Sequence, residues 1–538
     1  MVVTDPQHTK IESLMMRNGS IALTGGQVFT LAKEGEIFES ILIEDGRVSC
    51  LGNSGEVKRL CREKGISEIA LAGRTVLPGP IDTHFHLLMT GLHMSAVDLN
   101  SCCSVNEVLE VLRGSVLTAE PERWILGKGL DEFRLKERRP PTAQELDVVA
   151  QKNPVFIEDR GIHYCVLNSL AVQNLKMRQQ TSGIRGHEED STVTGRYLEQ
   201  LAGEVRHRLL RQLDDEFKRA VIFEAAGYAA SCGITTLHAI EGGELYGDAE
   251  IPLLIDIHDE LPVNVSVHWN TFKIAEAVKA GLRVIGGDIW LDGALGSHTA
   301  ALNRPYADAP DLCGELYHAS EQLEALVAEC MQFGVQVGFH AIGDRAIDQA
   351  LRVFESVTKH RLPPDRLLRL DHFGLPSPEH LKRAARLGVV ISTQPTFSYF
   401  RGGPGSVYES RLGAERETRA YPVRELLDSG LIVAGASDCD VLPADIMLGV
   451  HAAVNHPHEQ QRVSVYEALQ LYTANAARME FEEDVKGTLS LGKVGDTIIV
   501  DENPFEVRET AIKDIRVDMT IVGGQIAYQN QDTGSYRS

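Results

Sequence analysis

The sequence predicts an α/β protein: a (β/α)8 barrel of the TIM type, a small β-sandwich domain built from both chain termini, and an α/β insertion after the first barrel strand. Three observations carry this. First, Leu77 to His86, LPGPIDTHFH, is an apolar strand that ends in two histidines one residue apart. Residues i and i+2 of a strand share a face, so His84 and His86 look the same way and Phe85 the other. Second, later strand-like runs end in His or Asp, namely VQVGFH at His340, LLRLDH at His372 and LIVAGASD at Asp438, each followed by a turn and a helical segment. Third, both ends of the chain are β-rich while the middle alternates strand and helix. Repeated strands with metal-type ligands at their C-terminal ends are what a barrel with a metal site at its top presents.

The bulk numbers set the frame. A chain of 538 residues holds one large domain plus additions. With 53 basic against 76 acidic residues, the net charge of −23 argues against nucleic acid or an anionic membrane as partner. No apolar run approaches the roughly 20 residues that span a bilayer. The opening MVVTDPQHTKIESLMMRNGS has neither a basic start nor an apolar stretch, so a cytoplasmic location is expected. The nine cysteines are scattered without a CxxC pair and are expected to be reduced packing residues, with Cys439 notable for following Asp438.

Taken in order, residues 19 to 74 alternate in short strands broken by Gly and charged turns, and GTLSLGKVGDTIIVDENP with IRVDMTIVGGQIAYQN repeats that texture at the end. Residues 1–76 and 484–538 therefore form the composite sandwich, and 77–483 the barrel. After His86 the β/α rhythm lapses. Helices over Asn106–Leu117 and Leu198–Leu213 and strands at Trp124–Gly127 and Val155–Glu158 exceed what an eight-stranded barrel uses, so about 98–216 reads as an inserted cap. From Glu216 the alternation is regular: ITTLHAI, VNVSVHW, RVIGGDIWLDG, VQVGFH, LLRLDH, GVVISTQP and LIVAGASD, with helices at Ser320–Phe333, from Asp344, at Ser377–Leu387 and at Val423–Ser429 between the later ones. Residues 395–420, containing Gly and Pro, read as a long loop, either a lid or a surface excursion.

With LPGPIDTHFH at its head, this pattern resembles the amidohydrolase superfamily of metal-dependent hydrolases. The phrases GDIWLDGALGSHTAAL, VGFHAIGDRAID, RLDHFGLPSPEHLKRAARLGVVISTQP and VYEALQLYTANAARMEFEEDVKGTLSLGKVGDTIIV narrow the resemblance to amidohydrolase family 3, which includes N-substituted formamide deformylase. The resemblance implies that His84 and His86 hold one divalent ion, while His340 and His372 hold a second or complete the first site. It implies that Asp438 binds the hydrolytic water as general base, and that the chain forms a homodimer. Neutral imidazoles suit zinc, the first expectation for the one or two ions, and also Co, Mn or Fe.

One position departs from the pattern. Relatives carry a carboxylated lysine four residues before the Asp of the DG phrase on the fourth strand, bridging two metals; here that residue is Asp288. Asp288 is expected to bind or bridge metal, although its side chain is shorter, which leaves both a binuclear and a mononuclear site open. Asp292 reads as structural. Substrate contacts are assigned to His163, Arg185, Arg304 and Gln394, and His93, His238, His268 and His298 read as packing or supporting residues. The expected activity is hydrolysis of an amide-type C–N bond, N-acyl or N-formyl deacylation of a small molecule. The alternatives are deamination of an aminated heterocycle, disfavoured because only Asp344 follows His340 as a proton donor, and a non-catalytic scaffold.

Overall fold

The computed structural model describes residues 19–160, 164–177, 195–198, 200–243, 247–359 and 366–531. It divides into two compact units: residues 1–86, 226–240 and 255–538, and residues 87–225 with 241–254.

The larger unit holds the expected barrel. Its strands are β1 (Ile81–Phe85), β2 (Thr236–Glu241), β3 (Asn264–Trp269), β4 (Val284–Trp290), β5 (Gln336–Ala341), β6 (Leu368–His372), β7 (Val390–Thr393) and β8 (Ile432–Gly435), hydrogen-bonded in chain order. The chain beyond β8 closes the ring. Asp438 donates its N–H to the His84 carbonyl at 3.0 Å, and His86 donates to the Cys439 carbonyl at 2.9 Å. β1, β5, β6 and β7 are buried along their whole length, which is why they read as near-continuous apolar runs.

The crossover helices form for local reasons. Ser320–Phe333 buries Leu323, Leu326, Val327 and Cys330, one face at 3.6-residue spacing, and stops at Gly334 in the left-handed conformation. Pro378–Leu387 begins with a capping box on Ser377 and a proline in its first turn. Each boundary lies within a residue or two of the sequence expectation.

Both ends of the chain meet in one sheet. Thr497–Val500 pairs antiparallel with Thr75–Pro78, and the sheet continues through Ile21–Phe29 to the hairpin Ile37–Glu44 and Arg47–Gly52. That hairpin turns on Asp45 and Gly46, both at positive φ, as a two-residue Asp-Gly turn requires. Ile21, Leu23, Ile41, Ile43, Val76, Ile499 and Met519 belong to its core.

The second unit contains a five-stranded sheet, ordered Arg196–Leu198, Tyr164–Leu167, Val155–Asp159, Ile125–Leu130 and Val97–Asp98. Its core includes Leu99, Val108, Leu112, Leu146, Val155 and Ile157. Segment 395–420 corrects the expectation of a loop. It contains helices Pro395–Arg401, Val407–Leu412 and Ala414–Glu417, and Phe397, Tyr408 and Leu412 pack with Tyr306, Ile342 and Tyr421 in one apolar cluster. Among the described residues no helix is long and apolar enough to cross a membrane.

Candidate metal centre

Four histidines and two aspartates from five strand ends meet at one end of the barrel. The Nε2 of His84 lies 3.4 Å, and that of His86 3.2 Å, from Oδ1 of Asp438. His86 Nε2 is 4.0 Å from Asp288 Oδ2. The rings of His84 and His372 are 5.0 Å apart, and those of His340 and His372 4.4 Å. Two sets of potential ligand atoms, one from His84, His86 and Asp438 and the other from His84, Asp288 and His372, each lie within 4.8 Å of one another.

Three of the four imidazoles are fixed through the far nitrogen. His84 Nδ1 donates to Asp371 at 2.9 Å, His86 Nδ1 to the Ile240 carbonyl at 3.1 Å, and His372 Nδ1 to Gln394 Oε1 at 2.9 Å. His340 Nδ1 faces Asp292 at 3.5 Å. A proton held on Nδ1 leaves Nε2 with its lone pair turned inward, the tautomer a metal ligand needs. His84 Nε2 is buried without a hydrogen-bond partner. Such an orphan is costly unless something fills it, and with two carboxylates opposite, a divalent cation fits the donor set.

The electrostatics agree. Burial, then the neighbouring His340 and His84, hold His372 well below the usual imidazole range, so it is a neutral donor. Burial opposes charge on His340 too, but Asp292, Asp288 and Asp438 together move it upward. Asp371 is fully buried, which alone would raise its pKa; Arg369 and His84 reverse that and keep it ionised. His372 and Asp438 both sit at positive φ, 68° and 59°, a conformation costing about 1–3 kcal/mol for a non-glycine residue that the surrounding strands must hold.

The structure thus brings His84, His86, Asp288, His340, His372 and Asp438 together. Gln394, expected to touch substrate, is fully buried, and its Oε1 accepts from His372 Nδ1. Arg304 is exposed, and its carbonyl accepts from Arg416; the structure does not bring it to the centre. His163 and Arg185 lie outside the described residues. Asp292 takes the backbone N–H groups of Ala301, Ile342 and Gly343 at 2.7, 3.0 and 2.8 Å, tying the loops after β4 and β5 together beside His340. Sequence reasoning missed Asp371 and Arg369. Their signal was present: two charged residues at i and i+2 inside an apolar run, LLRLDH, share the inward face of a barrel strand.

The model of the amidohydrolase family matches residues 67–528. YtcJ of Bacillus subtilis (strain 168), an amidohydrolase by name, is 27% identical over 94% of this chain and 98% of its own. The N-substituted formamide deformylase of Arthrobacter pascens is 25% identical over 98% of this chain and 100% of its own. The crystal structure of a metal-dependent hydrolase from Pyrococcus furiosus superposes with a TM-score of 0.77 at 28% identity, covering 90% of this chain and 100% of that one. With a family match running from the terminal sheet through every barrel strand, the chain belongs to the amidohydrolase family of metal-dependent hydrolases.

Proposed function

We propose that the chain hydrolyses an amide-type C–N bond in a small molecule, removing an N-formyl or N-acyl group. The observation that carries this reading is the convergence of four histidines, three of them anchored, with Asp438 and Asp288. His84, His86, His340 and His372 would hold one or two divalent ions, zinc first, with Asp288. When bound, such an ion polarises a carbonyl and lowers the pKa of water from about 15.7 toward 7.

The chain's own residues do the rest. Asp438 takes the proton of the attacking water and returns it to the departing nitrogen, which an amide needs because an amine anion is too poor a leaving group. Its Oδ1 stands 3.4 and 3.2 Å from Nε2 of His84 and His86, beside the ring of imidazoles. Asp371, Gln394 and the Ile240 carbonyl keep three of the rings from turning. The similarity to an N-substituted formamide deformylase supports the C–N specificity. Deamination would need an acid after β5, and Asp344 there is engaged by the Asn303 N–H at 2.8 Å.

Metal-replete protein should release formate or a carboxylic acid from a panel of N-substituted formamides and N-acyl amines. Asp438→Asn should lower kcat by about 10²–10⁴-fold with its metal retained. Ammonia from an aminated heterocycle, with no acid, would make the chain a deaminase; turnover of nothing by metal-loaded protein would make it a scaffold.

A further inference from the structure

Four arginines lie between residues 395 and 420, and three of them are tied to the protein. Arg411 pairs with Asp308, Arg419 with Glu425 at 2.8 Å, and Arg416 donates to the Leu412 and Pro305 carbonyls at 2.8 and 2.7 Å. Arg401 is the exception: among the described residues no carboxylate pairs with it. Its place follows from the helix it ends. Pro395 begins that helix directly after Gln394, which accepts from His372, and Phe397 and Arg401 stand four residues apart, on one face. The Phe397 ring is stacked on the His372 imidazole, 11° from parallel with centroids 6.1 Å apart, and the Arg401 guanidinium carbon lies over the same ring, 5.0 Å from its centre. Such a contact sets the plane of a guanidinium and leaves its N–H edge open to a planar anion.

Two tyrosines locate that edge. Tyr408 and Tyr421 are buried and stacked, their centroids 6.1 Å apart. Burial raises the pKa of both hydroxyls; in each, Arg401 works against the rise and Asp438 adds to it. The guanidinium and the Asp438 carboxylate therefore flank the same pair of rings. Arg401 is itself partly exposed, so a solute can reach it. A guanidinium seated on an aromatic face beside the imidazoles, with no protein carboxylate of its own, is built to take one from outside, two N–H groups to two oxygens. A formyl group offers no position for that carboxylate, which places it on the amine-derived part of the substrate.

We propose that Arg401 binds a carboxylate on the amine-derived part of the substrate, so that the chain acts on N-formyl or N-acyl amino carboxylates in preference to neutral amides. Hydrolysis then adds water across the C–N bond and releases formate or another carboxylic acid together with the amino carboxylate. The inference rests on the hydrolase reading above.

The test sets N-formyl and N-acetyl derivatives of glycine, β-alanine and γ-aminobutyrate against neutral N-alkyl amides of the same chain length, on metal-loaded protein. At least one carboxylate should exceed its neutral counterpart by about 10–100-fold in kcat/KM, chiefly through KM. Arg401→Met, which keeps its contact with the Phe397 ring, should lose about that factor, and Arg401→Lys should recover part of it. Titration calorimetry of the preferred carboxylate onto Asp438→Asn protein should show the same loss when Arg401→Met is added, with metal content and melting temperature unaltered. Wild type that treats the two series alike, or a preference that survives in Arg401→Met, would overturn recognition by Arg401 while leaving hydrolysis intact. Turnover of neither series would overturn the hydrolase reading and this inference together.

Discussion

Two clusters inside the same barrel look alike as lists of ligands. At the metal centre, His84, His86 and Asp438 lie within 4.8 Å of one another; so do His238 of β2, His268 of β3 and Glu480. Glu480 Oε1 is 3.1 Å from His238 Nδ1 and 2.5 Å from His268 Nε2. The difference is a resident cation. Arg369, fully buried on β6, places Nη1 3.4 Å from His238 and 3.9 Å from Glu480, while its other nitrogens clamp Asp371 at 2.7 and 2.8 Å. At about 4 Å and an effective dielectric near 20, a guanidinium repels each unit of added positive charge by about 4 kcal/mol. The second cluster is therefore neutralised by the protein itself, whereas among the described residues Asp288 and Asp438 pair with imidazoles alone. Donor geometry nominates a site; the missing cation selects it.

The sharpest way to break this comparison is at the centre. His84→Ala combined with His86→Ala should abolish stoichiometric metal binding and reduce turnover to background, while the paired change His238→Ala with His268→Ala should leave metal content unaltered. Elemental analysis of both proteins decides it; equal loss of metal would show that the two clusters are of one kind.

Arg369→Met comes next. It strips the cation from Asp371 and Glu480 together and should destabilise the fold by about 3–5 kcal/mol in denaturant unfolding. Because Asp371 holds His84, metal affinity should also fall about 10–100-fold. Glu480→Gln should spare metal affinity, since Arg369 keeps its clamp on Asp371. A loss of affinity as large as that of Arg369→Met would mean that the lower cluster sets the centre directly.

The same contrast explains what the sequence revealed. His84, His86, His340, His372 and Asp438 were legible because each ends a strand, and a strand end fixes both position and direction. The roles of Asp371 and Arg369 were not, since they depend on which strands are neighbours and which inward layers coincide. The Thr497 hydroxyl donates to the Leu77 carbonyl across 420 positions. The β texture of both ends was visible, but no local pattern specifies such a pairing. Segment 395–420 misled because Gly402, Gly403 and Gly405 punctuate short helices that owe their order to the packing of Phe397 and Tyr408.

A third solution to burying a carboxyl group lies in the second unit. Glu250 is wholly buried and accepts the Gly242 N–H at 2.9 Å, and no ion pair holds it among the described residues. Burial, then the charge of Glu241, raises its pKa from 4.5 to about 8, so it carries a proton where Asp288 needs metal and Glu480 needs Arg369. A pKa higher in the folded than in the unfolded state means that Glu250 supports folding fully below about pH 4.5. That support is lost as pH rises toward 8, by up to about 1.4 kcal/mol per unit, and levels off above. Glu250→Gln should flatten the decline in melting temperature between about pH 5 and 8, with no change in metal content. Parallel melting curves for the two proteins would mean that Glu250 is charged in the native state and has found a cation after all.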